Sequence, residues 1–258
     1  MQTYLFALYT ILGIGFLAWM FSVVKHDVSF VDSLWSLFFL VAAAVFANYA
    51  QPLSDRGLLV LILVLLWSLR LSVYITARNW GQNEDYRYQT IRENNSPGFA
   101  FKSLYIVFGL QGVLAWLVAL PLLPAITAAS ELGLLDAVAA VLWLVGFIFE
   151  AGGDYQLSRF KSDPANKGKV MDSGLWALTR HPNYFGDFCI WWAFYLFAVA
   201  AGGWWSIASP ILMTLLLLKV SGVAMLEQTI SERRPAYADY IRRTNAFFPG
   251  PRRKTHEA

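Results

Sequence analysis

Charge is scarce in this chain. Asp, Glu, Lys and Arg make up 14% of the 258 residues, where a soluble domain carries about a quarter, and this excludes an ordinary water-soluble globule. Cysteine is nearly absent: Cys189 stands alone, so no internal disulfide can form. Lying in an apolar stretch, it reads as a packing residue. The three histidines, His26, His181 and His256, are far apart and offer no zinc-ligand set, so no metal is expected. The first apolar run lacks a preceding basic segment and a clear small-residue cleavage site. Thr3–Val24 is therefore expected to be a membrane span and not a cleaved leader.

What the chain has in abundance is apolar residues, 57% of the total, 16% being aromatic. They come in blocks of the ~20 residues that a transmembrane helix requires. The blocks are Thr3–Val24, Val31–Ala50, Gly57–Ala77, Phe101–Pro121, Leu134–Asp154, Tyr184–Ala200 and Trp204–Glu227. The predicted fold is all-α, a polytopic integral membrane bundle of about seven transmembrane helices forming a single domain. Residues 1–149 supply the N-terminal helices on the substrate side, and residues 150–251 form a cofactor-binding C-terminal region.

The basic residues fix an expected orientation. With seven spans, 17 of the 20 lysines and arginines fall in loops on one side, and such residues collect on the cytoplasmic side. The N-terminus is then expected outside and the C-terminus in the cytosol, in a bacterial inner membrane. A net charge of +3 invites a nucleic-acid reading, but the basic residues lie beside membrane spans and form no soluble basic face.

Ionisable residues within spans are costly and mark function or interior pairing. Asp32, Arg70, Glu150, Asp154, Asp187 and Lys219 all fall in or at the ends of spans, and Gln111 is mid-span. Two readings stand side by side. One is a set of buried structural ion pairs, Arg70 with Asp32 for example. The other is a polar cavity open to the cytosol, which accounts better for their gathering at one end.

Two segments stand apart. The first, Arg180-His181-Pro182-Asn183-Tyr184-Phe185-Gly186-Asp187, opens the sixth block. Proline suits the first turn of a helix, and free N–H groups beside Arg and His suit an anion. The second runs from Glu232-Arg233-Arg234-Pro235 through Tyr237, Tyr240, Arg242 and Arg243 to Phe247-Phe248-Pro249. Alone it reads equally well as a basic amphipathic tail lying on the membrane.

Together these segments resemble the bacterial membrane branch of the steroid 5-alpha-reductase family, the DUF1295 proteins, related to isoprenylcysteine carboxyl methyltransferases and sterol reductases. The resemblance is strongest over Glu150–Pro251. It implies a membrane-embedded oxidoreductase in which a cytosol-facing cavity binds NADPH and a second pocket admits a lipid-soluble enone. Carried over by motif, Asp154, Arg159, Arg180, His181, Asn183, Tyr184, Asp187, Tyr237, Tyr240 and Arg243 become expected cofactor contacts. Arg70 and Asn79 resemble further cofactor contacts on the third span. The reductases polarise their substrate ketone with a Gln-Glu pair and a tyrosine. Here the tyrosine position holds Trp67 and the best acidic match is Asp32, so Asp32, kept protonated by desolvation, or Tyr74 is the expected catalytic acid.

Arginine density favours NADPH, whose phosphates suit guanidinium forks. S-adenosylmethionine, the cofactor of the related methyltransferases, needs no such density. Those enzymes also carry a Glu-Glu pair near the end of the last span, where this chain reads Glu227-Gln228. A methyltransferase is the alternative enzyme. The non-enzymatic alternative is a transporter or lipid-binding protein, against which stands the lack of a visible inverted repeat.

Overall fold

A chain inside hydrocarbon must satisfy its peptide groups internally, which helices do. The computed structural model describes residues 2–220 and 236–253, and all its regular structure is helical, with no strand among the described residues. The residues group into two compact units: Met1–Gly133 with Phe197–Ser209, and Leu134–Leu196 with Pro210–Ala258.

The first unit contains α1 (Gln2–Lys25), α2 (Val31–Tyr49) and α3 (Asp55–Asn79). A short polar helix, α4 (Tyr86–Asn94), follows. The next long helix begins as α5 (Phe99–Ser103), widens into a π-helical stretch (Leu104–Gly109) and continues as α6 (Leu110–Val118). α7 (Leu122–Thr127) completes the unit's helices before Gly133.

Capping and charge explain the bounds of α3. The Ser54 side chain accepts from the Gly57 N–H, Asp55 sits in the first turn and Arg78 in the last, each favourable to the helix dipole. Phe38, Phe39 and Phe46 on α2 and Val60, Val64 and Trp67 on α3 are fully buried. Reciprocal bonds join α1 to α6: the Tyr4 hydroxyl donates to the Trp116 carbonyl, and the Trp116 indole N–H donates to that of Tyr4, both at 2.8 Å. Arg56, the basic residue opposite the main basic side in the sequence, is buried and donates to the Ser130 and Glu131 carbonyls at 3.3 and 2.6 Å. It fixes a loop to the start of α3.

The second unit contains α8 (Leu134–Ser162) and α9 (Pro182–Ala200), whose last turn belongs to the first unit. A 3-10 turn (Trp204–Ile207) leads into α10 (Ala208–Leu215), a π-helical turn (Leu216–Val220) follows, and α11 is Ala236–Arg243. Glycines set the packing of α8 on α9. A Cβ placed on Gly186 would stand 2.4 Å from the Glu150 backbone nitrogen and 2.5 Å from the Gly146 carbonyl oxygen. Small residues of this kind let membrane helices approach backbone to backbone.

Among the described residues, five helices are long and apolar enough to cross a membrane: Gln2–Lys25, Val31–Tyr49, Asp55–Asn79, Phe99–Val118 and Leu134–Ser162. They coincide with the first five blocks of the sequence, the fifth running two turns beyond its expected end at Asp154. The sixth block is α9, with Asn183, Tyr184 and Asp187 in its first turns. The seventh block begins as a shorter apolar helix, Trp204–Lys219. Its remainder, with Glu227-Gln228, lies outside the described residues.

The glycine crossing yields a test. Gly186→Ala should destabilise the purified protein by about 1–3 kcal/mol, the usual cost of overpacking, because the new methyl meets backbone atoms that cannot rotate away. Gly13→Ala, where a Cβ meets nothing within 4 Å, should leave the melting temperature in detergent unchanged. Equal melting temperatures for the two variants would refute the close crossing.

Candidate functional site

The two units each carry a polar constellation. In the second, the glycine crossing sets the first turn of α9 beside α8: a Cβ on Gly153 would be 3.1 Å from the Pro182 ring. Pro182 is the first residue of α9, as its missing N–H favours. Asn183 donates from Nδ2 to the Asp154 carboxylate at 3.2 Å, and the His181 and Tyr184 rings stack in parallel 5.7 Å apart. Asp154, Glu150 and His181 are buried, while Asp187 is half-buried.

The loop leading into α9 is fixed from both sides. Gly174 adopts φ +61°, and the Gln156 amide lies where a side chain would go. The Leu175 N–H donates to the Gln156 Oε1 at 2.9 Å, and the Trp176 indole N–H donates to the Gly153 carbonyl at 3.0 Å. From the other side comes the C-terminal arm. The backbone N–H groups of Arg180 and Gly250 donate to the carbonyls of Asn245 and Leu178 at 2.9 and 3.0 Å. The Thr179 hydroxyl donates to the Phe247 carbonyl at 2.8 Å.

Two expected cofactor contacts also perform work internal to the protein. Arg180, buried, donates from one guanidinium nitrogen to the carbonyls of Ile241 and Thr244 at 3.2 and 2.6 Å. It thereby caps the C-terminus of α11, where carbonyls lack intrahelical donors. The Tyr240 hydroxyl, likewise buried, donates to the Trp176 carbonyl at 2.6 Å, and burial pushes its pKa up. Tyr237 is buried against Tyr240, their ring centroids 5.4 Å apart. Arg243 pairs with Asp239 at 2.6 Å and faces Asp172 at 3.5 Å. Arg159 is exposed on the last turn of α8. The Thr244 hydroxyl is buried without a hydrogen-bond partner.

The first unit holds the expected Asp32, Arg70, Tyr74 and Asn79. Arg70 and Tyr74 are one turn apart on α3, both half-buried, and the Arg78 guanidinium lies 5.9 Å from the Tyr74 ring centroid. Asn79, the last residue of α3, accepts from Arg78 at 3.1 Å. Trp67, at the position where the reductases place a tyrosine, packs on Phe39 with ring centroids 5.6 Å apart.

Asp32 has partners that the sequence did not suggest. Its Oδ2 accepts from Arg87 at 2.7 Å, and its Oδ1 accepts from the Tyr88 hydroxyl at 2.5 Å. A guanidinium on Asp32 thus comes from α4. Gln111, the second residue of α6, donates from Nε2 to the Tyr88 oxygen at 2.9 Å. Glu84 ties the same segment down, accepting from the Val28 N–H at 2.9 Å and from Arg92 at 2.7 Å. Arg92 also lies over the Phe99 ring, 4.4 Å from its centroid. Sequence reasoning noted Gln111 only as a mid-span polar residue and passed over Tyr88. The usable signal was the pattern Asp85-x-Arg87-Tyr88 beside a mid-span amide.

Electrostatics on α4 follow from this packing. Burial, and then the Asp32 charge, push the Tyr88 phenol well above its ordinary range. Burial also opposes ionisation of Asp85, but hydrogen bonds and charge from Arg87 outweigh it and hold that carboxyl below the ordinary aspartate range. A carboxyl depressed on folding adds stability above its unfolded pKa of about 3.9 and loses it as pH falls through the folded value. Protection of the Tyr88 amide from hydrogen exchange should therefore weaken below pH ~4. Asp85→Asn should shrink that acid-dependent part. Exchange with the same pH profile in both proteins would show that Asp85 does not secure α4.

The chain matches the family described as "Protein of unknown function (DUF1295)" over residues 18–244. It is 28% identical over 274 residues to an uncharacterised protein of Schizosaccharomyces pombe, covering 92% of this chain and 76% of that one. Shorter similarities link it to a "Probable O-methyltransferase" of Ustilaginoidea virens and the Delta(14)-sterol reductase of Schizosaccharomyces pombe. The first is 39% identical over 67 residues, covering 26% of this chain and 22% of that protein. The second is 34% identical over 80 residues, covering 26% and 19%. No solved structure matches it. The chain belongs to the DUF1295 family, within the steroid 5-alpha-reductase-like group.

Proposed function

We propose that this protein is a membrane-embedded, NADPH-dependent reductase acting on an activated C=C bond, such as that of an enone, in a lipid-soluble substrate. The C-terminal arm and the head of α9 face the cytosol, and the N-terminus lies outside. The reading rests on one observation above the rest: the buried polar head of α9, where Asp154, His181, Asn183 and Tyr184 gather. Such a mixture of carboxylate, amide and flat rings suits a ribose and a carboxamide-bearing ring. The buried, unpartnered Thr244 hydroxyl marks a polar atom in the same unit with capacity for one more hydrogen bond. Similarity to a sterol reductase supports the reaction class.

NADPH, when bound, supplies a hydride. Asp154, His181, Asn183, Tyr184 and Asp187 would hold its nucleoside parts, and Arg159 and Arg243 its phosphates, as guanidinium forks do. Arg180, Tyr237 and Tyr240 are proposed contacts as well, and Arg180 and Tyr240 also help position the loop that carries these groups. Arg70 and Asn79 are the contacts proposed on α3. In the first unit Asp32, or Tyr74 one turn from Arg70, would be the acid that hydrogen-bonds the substrate carbonyl.

A methyltransferase is the second reading, favoured by the 67-residue similarity to an O-methyltransferase. Thermal unfolding of the detergent-purified protein with NADPH, NADH or S-adenosylmethionine separates the two, since a ligand of the folded state raises the melting temperature. A free ligand at 100 times its Kd should stabilise by about 2.7 kcal/mol. NADPH is the expected stabiliser. A shift with S-adenosylmethionine alone makes the protein a methyltransferase, and no shift with any of the three turns the reading toward a transporter or lipid-binding protein.

A further inference from the structure

The C-terminal arm has an inner face that holds the candidate site and an outer face left open. We propose that the outer face rests on the anionic surface of the bilayer, Phe248 entering the acyl boundary and Arg242, Arg252 and Arg253 meeting lipid phosphates. The membrane itself then straps the site loop in place. This goes beyond the reductase reading and takes from it only that α9 enters the membrane at its Pro182 end.

The inner face is bonded to the loop before α9. The Arg180 N–H donates to the Asn245 carbonyl and the Gly250 N–H to the Leu178 carbonyl, with the Thr179 hydroxyl on the Phe247 carbonyl. The two phenylalanines of the arm then diverge. Phe247 is buried, its ring centroid 6.1 Å from that of Phe185 and 5.6 Å from that of Phe188. Phe248 stands at nearly the same distances from these rings, 6.2 and 5.8 Å, yet is 62% exposed. Phe185 and Phe188 are the fourth and seventh residues of α9, about 5–9 Å along the axis from its start. An exposed ring at that depth beside an entering span lies where headgroups give way to acyl chains. Amphipathic segments bury their apolar side in that layer.

The charge around this ring is mostly of one sign. The Arg242 side chain, 66% exposed, pairs with Asp239 at 3.2 Å, and Arg243 pairs with the same carboxylate at 2.6 Å. Asp172 is shared by Arg243 at 3.5 Å and by the exposed Arg252 at 3.4 Å. Arg253, also exposed, donates from its backbone to the Arg243 carbonyl at 2.9 Å, and its guanidinium reaches the Asn245 side-chain oxygen at 3.4 Å. Among these described residues four guanidinium groups stand against two carboxylates. Exposed pairs of this kind contribute little in water, so their arginines are free to turn toward phosphate. Near an anionic surface each arginine strengthens binding about 5-fold.

The strap has a consequence for the site. Segments held by a few bonds open locally, and a surface that binds only the closed arm lowers the open population. The loop that leads into α9 should therefore be held more firmly over an anionic bilayer than over a neutral one. Soluble phosphate does not bury Phe248 and should not replace the membrane.

Hydrogen exchange at the Arg180 and Gly250 amides, the two donors that join arm and loop, tests this in the full-length protein. One set of nanodiscs is made of phosphatidylcholine alone, the other of phosphatidylcholine and phosphatidylglycerol in equal parts. Exchange should be about 5-fold slower or more in the anionic discs, and added salt should shrink the difference. The double variant Arg242→Gln, Arg253→Gln, which leaves the proposed cofactor residue Arg243 in place, should lose most of the difference and exchange as wild type does in phosphatidylcholine. Phe248→Ser should exchange faster in both discs. Equal rates for wild type in the two lipids, or an undiminished difference in the double variant, overturns the strap. Slowing in neutral discs by inorganic phosphate shows that a free anion, not the bilayer, occupies the arginines, and overturns it too. The NADPH-induced rise in melting temperature, recorded on the same discs, reports on the reductase reading separately. Its persistence beside equal exchange rates sinks the strap alone, and its absence beside lipid-dependent exchange sinks the NADPH reading alone.

Discussion

The second unit depends on one constraint: α8 and α9 approach so closely that only glycine fits where they cross. At Gly186 a single methyl group would overlap backbone atoms of Gly146 and Glu150. In a medium that gives little hydrophobic drive to helix association, such approaches carry much of the packing. Everything chemical in this unit sits at a distance fixed by that crossing. Asn183 reaches Asp154, the Pro182 ring lies on Gly153, and the Trp176 indole reaches the Gly153 carbonyl.

The loop before α9 would otherwise be a free polar segment. It is held because donors and acceptors along it are matched by α8 on one side and the C-terminal arm on the other. Arg180 shows what a residue type leaves unsaid: a guanidinium beside a helix start suggests an anion, and one of its nitrogens also caps the carbonyl end of another helix. Unmet carbonyls at a buried helix end are costly, so this use of an arginine needs no ligand to explain it.

In the first unit the comparable constraint is electrostatic. A carboxylate at the start of a span requires partners, and α4 supplies two of them, a guanidinium and a phenol, on adjacent residues. The Glu84–Arg92 pair and the Val28 N–H secure the same segment at a second point. The polar stretch between α3 and α5 is therefore an ordered part of the unit and not a slack connection.

Much of this was legible in the sequence. Composition and block length gave the five apolar helices, because a helix in lipid is a local solution whose length is set by the membrane. Proline at the start of α9 and the clustering of Arg, His, Asn and Tyr there were local as well. Pairing was not legible. Asp32 meets Tyr88 across 56 residues, Tyr88 meets Gln111 across 23, and Arg180 meets Thr244 across 64. No periodicity encodes such contacts, since they depend on which helix faces turn toward each other. The sequence by itself determined that this chain forms apolar helices with polar ends. Only the tertiary structure decided which polar group meets which, because a hydrogen bond is satisfied by distance and angle between side chains that the chain brings together from far apart.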